Sequence, residues 1–112
     1  MAIIKKRSGR IEDVRYMMFF MRIPNTDYVE AVAVMHEGAV DPSWAWTLWT
    51  LDANADEIDA LAADLESDNP QYDTQGFSET FGCLEDLIES IAEGEYEDFD
   101  EIEEDLYDFF EN

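Results

Sequence analysis

The spacing of apolar residues changes about half-way along the chain. Between Val14 and Leu51 they stand in dense short runs or alternate with polar ones, as strands require. From Asn54 onward they recur every three or four residues, as amphipathic helices require. Val14 to Ile23 (VRYMMFFMRI) is aromatic-rich and short, and predicts a strand. Pro24-Asn25-Thr26-Asp27 is a strong turn signal. Tyr28 to His36 is rich in β-branched residues and predicts a second strand, closing a hairpin on that turn. Trp44 to Leu51 (WAWTLWTL) puts Trp44, Trp46, Leu48 and Thr50 on one face of a third strand, with Trp49 pointing the other way. Asp41-Pro42 also suits the start of a helix, the competing reading for this stretch.

In the second half, Asn54 and Glu57 have the spacing of a capping box, and Ile58, Leu61, Ala62 and Leu65 share one helical face as far as Ser67. Residues 68–76 (DNPQYDTQG) predict a loop. Ser78 is placed to cap a second helix with the stripe Phe81, Leu84, Leu87, Ile88 and Ile91, stopped by Gly94. A last helix is expected from about Asp98 to Phe110, burying Phe99, Ile102, Leu106 and Phe109. Residues 1–10 are a basic segment, expected to be mobile at first and then to join the first strand. The expectation is one α+β domain over residues 1–112: about three antiparallel strands, N-terminal, with about three C-terminal acidic helices packed on one face.

Charge changes this picture from a fold to a surface. The chain has 29 acidic and 6 basic residues, a net charge of −23, yet 46% of it is hydrophobic, enough for a core. All the Lys and Arg (Lys5, Lys6, Arg7, Arg10, Arg15, Arg22) precede Ile23, while 27 acids follow it with no Lys or Arg among them. Ordinary surfaces mix the two signs. Such a charge repels nucleic acid and anionic membrane and attracts basic partners. One cysteine, Cys83, precludes an internal disulfide and suits a reducing compartment. The start MAIIKKRSGR lacks the long apolar stretch of a signal peptide, and no apolar run could span a bilayer. A cytoplasmic location is expected.

The densest acidic stretch, Ser78 to Asn112, contains no Lys, Arg or His. Glu79, Asp86, Glu89 and Glu93 fall opposite the apolar stripe of the expected second helix, and Glu97, Glu101, Glu104, Asp105, Asp108 and Glu111 opposite that of the last. Acids four residues apart each lose roughly 0.2–0.5 kcal/mol by repulsion. Asp105, Asp108 and Glu111 also oppose the helix dipole. A helix needing only solubility would alternate Glu with Lys. A cationic partner is the simplest cause of this pattern, and these ten carboxylates are the candidate binding residues. Reversing Glu97, Glu101 and Asp105 to Lys is expected to abolish binding and leave the fold intact. Adaptation to high salt or plain solubility is the competing cause, but it does not explain a basic start followed by no bases at all.

Other chemistry is thin. Asp52, Asn54 and Asp56 copy the first ligands of a calcium loop, but Glu57 replaces its glycine and Ala63 its bidentate Glu, so no metal is expected. His36 and Cys83 lack sequence partners for a metal or a nucleophile–base pair, and read as structural and core. No glycine-rich phosphate loop occurs, and neither enzymatic activity nor a cofactor is expected.

Small size, one-sided charge, and carboxylates on helices beside an aromatic core give the chain the character of a known class. It resembles the small acidic DNA-mimic inhibitors of phages and mobile elements, including anti-restriction and anti-CRISPR proteins. The likeness covers Asp52 to Asn112 in character, without a residue-level motif, and the basic start departs from it. It implies a partner that is a basic nucleic-acid-binding protein or complex, with no direct contact to nucleic acid. An immunity protein neutralising a basic toxin nuclease would use the same physics. The basic start could cover part of the acidic face or reach a neighbour's acids in a homodimer.

Overall fold

Tyr16 to Met21 are six consecutive residues, and every one is buried. Neighbouring residues of a strand face opposite ways, so an unbroken buried run means that both faces are covered. The computed structural model describes residues 3–11, 14–37, 45–54, 60, 63 and 77–111. They form five strands, β1 (Ile3–Ile11), β2 (Val14–Arg22), β3 (Tyr28–Glu37), β4 (Trp46–Asn54) and β5 (Phe77–Phe81), and two helices, α1 (Leu84–Ala92) and α2 (Phe99–Glu111). The strands make one antiparallel sheet in the order β1-β2-β3-β4-β5, so β1 and β5 are its two ends.

The β2–β3 hairpin turns through Pro24 to Asp27 as its sequence predicts. Asn25 takes a positive φ of 65°, Thr26 donates its hydroxyl to the Ile23 carbonyl at 2.8 Å, and the Ile23 N–H reaches the Tyr28 carbonyl at 3.0 Å. Register then sorts the side chains. Met17, Phe19 and Met21 share one face with Val32, Val34 and Leu48, and form a core with Leu84, Leu87, Ile88 and Ile91 of α1 and Ile102, Leu106 and Phe110 of α2. Met18, Phe20, Val29, Ala31 and Ala33 are buried on the other face. Each large side chain so buried contributes about 1.5–3 kcal/mol, against tenths for each like-charge pair, so the core readily outweighs the repulsion between acids.

The expected architecture of about three strands and three helices is corrected at both ends. The basic start is an ordered strand, paired with β2 from Ile3↔Met21 to Ile11↔Val14. Ser8 and Gly9, a turn signal in the sequence, lie within this strand. Gly9 lies opposite Tyr16, where an added Cβ would stand 2.6 Å from the Tyr16 hydroxyl. Asn54 is the last residue of β4, and the helix expected to follow it, with loop 68–76, lies almost wholly outside the described residues. Ser78 and Phe81 belong to β5, not to a helix. Phe77 to Phe81 pairs along β4 from Thr50↔Phe77 to Trp46↔Phe81. A ladder on an open strand edge prevails there over the cap that Ser78 offered.

The helix begins only at Leu84, and its stripe Leu84, Leu87, Ile88 and Ile91 is buried as its period implies. Gly94 follows its end for reasons of space rather than dihedral freedom. A Cβ there would meet the Tyr96 ring at 2.6 Å, and the positive φ, 53°, falls on Glu95. In α2 the buried residues are Ile102, Leu106 and Phe110, four apart, while Phe99 and Phe109 sit at the margin.

Candidate functional site

The polar positions left by this packing define the acidic surface. Glu79 is on β5, Asp86 and Glu89 are on α1, Glu93 ends α1, and Glu97 precedes α2. Glu101, Glu104, Asp105, Asp108 and Glu111 are on α2. All are exposed except Asp105, which is half-buried. They do not form a single surface.

Helix α2 carries one flank of acids toward the basic edge of the sheet. Asp98, just before its first residue, accepts the Ile3 N–H on its carboxylate at 2.8 Å. One turn on, Lys6 reaches Asp105 at 2.6 Å and Glu101 at 3.3 Å. The bond to Asp105 is the largest cause that raises the Lys6 pKa above its ordinary value. At the far end Arg15 donates to the Phe110 carbonyl at 3.2 Å, and its guanidinium lies 5.3 Å from the centre of the Phe110 ring. The last turn of α2 has no base of its own, so Arg15 supplies the cation that the negative end of the helix dipole favours. His36 stacks on Trp46 at 4.2 Å, and Trp46 meets Phe110 edge-on at 5.0 Å. Burial, then Arg15, lowers the His36 pKa.

Helix α1 differs. It packs over β4 and β5, and Asp86, Glu89 and Glu93 point away from its buried stripe. Among the described residues, no ion pair joins Glu85, Asp86, Glu89 or Glu93 to a cation. From β1 to β5 the sheet takes four inter-strand steps of about 4.8 Å, roughly 19 Å in all. Salt screens exposed charges beyond about 8 Å at physiological strength. The cations of β1 therefore leave α1 essentially unneutralised. Glu79 stands on that same distant strand.

The α1–α2 connection is held from beneath. Tyr96 is buried and donates its hydroxyl to Glu30 at 2.8 Å, and burial followed by that carboxylate pushes its pKa up. Glu30 lies opposite Asp52 in the ladder, which places Asp52 and Asn54 of the calcium-like motif within β4. Cys83 is half-buried at the start of α1, not in the core. A hydrogen bond from the Asp86 backbone lowers its thiol pKa, but desolvation and the Asp86 and Glu85 carboxylates outweigh this and raise it.

Sequence reasoning named the acids but missed Asp98, whose role depends on a strand 95 positions away. It also offered Glu101 and Asp105 for reversal as though the fold did not use them, whereas both hold Lys6. Trp44 lies outside the described residues. Trp46 and Trp49 fall on opposite sheet faces, both half-buried. No described helix is long and apolar enough to cross a membrane. No protein-family model, curated protein or solved structure matches the chain.

Proposed function

We propose that the protein is a stoichiometric inhibitor whose acidic surface occupies the Lys/Arg-lined nucleic-acid channel of a bacterial defence nuclease or CRISPR complex. Its carboxylates stand in for phosphates and exclude nucleic acid by competition. One observation carries this reading: Asp86, Glu89 and Glu93 are exposed on one side of α1 with no described cation paired to them. Along a helix, acids four apart are separated by about 6 Å of axial rise. Glu89 and Glu93 are so spaced, Asp86 and Glu89 are three apart at about 4.5 Å, and phosphates along one DNA strand advance about 3.4 Å per step, a spacing of the same order. Nothing in the core requires these charges, and their mutual repulsion weakens the helix. Association with a cationic channel should be fast and should weaken with salt.

The test reverses Asp86, Glu89 and Glu93 to Lys together and leaves the acids that hold Lys6 untouched. Tagged wild-type protein should capture one stoichiometric nucleic-acid-binding partner from bacterial lysate at low salt. Duplex DNA should displace that partner, and the variant should not capture it. Capture that survives the reversal, or that DNA leaves unaffected, would refute the mimicry.

A further inference from the structure

Lys6 is seated between two carboxylates of α2. Glu101 and Asp105 are four apart on α2, and the Lys6 ammonium lies between them at 3.3 Å and 2.6 Å. Lys6 comes from β1, an end strand of the sheet, and the ladder with β2 fixes its place through Lys6↔Phe19. Phe19 faces the helices, so the pleat aims Lys6 at α2. The Ile3 N–H on Asp98 holds the same strand to the same flank of the helix. The contact is open to water: the Lys6 side chain is 36% exposed, Glu101 52% and Asp105 26%. Exposed pairs of this kind are weak, so an external cation could replace Lys6 without unfolding anything.

We propose that Lys6 is an autoinhibitory contact, an internal cation that occupies the Glu101–Asp105 pair and holds it back from cationic partners. This rests on the acidic-inhibitor reading above and divides its surface in two. The α1 side meets a partner first, and the α2 flank joins only when a partner's Lys or Arg displaces Lys6. The effect is graded, because the pair is exposed and the strand itself stays in the sheet.

The experiment titrates a short lysine oligomer into the folded protein at low salt and compares three single variants. Lys6→Gln should bind roughly two- to fivefold tighter than wild type, the range that an exposed ion pair corresponds to. Lys6→Arg should bind like wild type. Arg22→Gln makes the same change in charge at an exposed site on the opposite sheet face, and should bind more weakly than Lys6→Gln. If Lys6→Gln binds no tighter than Arg22→Gln, the contact does not restrain the surface and the proposal falls. The oligomer binds any dense acidic surface, so this outcome is independent of whether a defence enzyme is the target. Failure of the inhibitor reading would appear only in the capture experiment.

Discussion

Helices α1 and α2 pack on the same sheet face with similar apolar stripes, yet their acids meet different surroundings. Helix α2 lies beside the basic end of the sheet, where Ile3, Lys6 and Arg15 engage Asp98, Glu101, Asp105 and the Phe110 carbonyl. Helix α1 lies over β4 and β5, roughly 14–19 Å from β1, and its acids have no described cation. Charge segregated along a chain is thus not segregated in the same way in space. The sheet carries β5 away from β1, and the C-terminal helix returns across it to the N-terminal strand. Among the described contacts the bases reach the last helix and not the one before it.

If the two helices differ only in surface charge, they should respond alike to damage inside. Leu87 and Leu106 are both fully buried, one under each helix. Leu87→Ala and Leu106→Ala should each destabilise by about 2–5 kcal/mol in urea unfolding. A much smaller loss for Leu87 would show that α1 is loosely held, and the contrast would then concern packing rather than charge.

A smaller effect separates the two glycines that face tyrosine rings. At Gly94 a new Cβ meets ring carbons of Tyr96 at 2.6 and 2.9 Å, and that ring is pinned by Glu30. Gly94→Ala should therefore lose about 1–3 kcal/mol, as overpacking does. At Gly9 the nearest atom is the hydroxyl at the tip of Tyr16 and no backbone atom is among the three nearest, whereas Gly94 also meets the Ile91 carbonyl at 3.2 Å, so Gly9→Ala should lose less. Thermal melts of the two variants test the order.

The sequence made the strands of the first half legible wherever turn chemistry and alternation agreed, as in the hairpin closed by Pro24 to Asp27. It made the stripes of α1 and α2 legible through their period. It failed where a local signal competed with a distant partner. Ser78 looks like a cap, but its segment gains a ladder with β4. Lys5 to Arg10 looks like a mobile basic start, but it gains a ladder with β2 and acids on α2. The candidate site was legible as a set of carboxylates, because repulsion that the fold does not need is visible in sequence. Its division into covered and uncovered parts was not, since that depends on which strand lies beside which helix.

The measurement that bears most directly on this division is chemical-shift mapping of the wild-type protein during titration with a short lysine oligomer. If the bases cover α2 alone, Asp86, Glu89 and Glu93 respond at lower oligomer concentration than Asp98, Glu101 and Asp105, which must first lose Ile3 and Lys6. Uniform shifts along both helices, or shifts at Glu101 and Asp105 that precede those on α1, would contradict it.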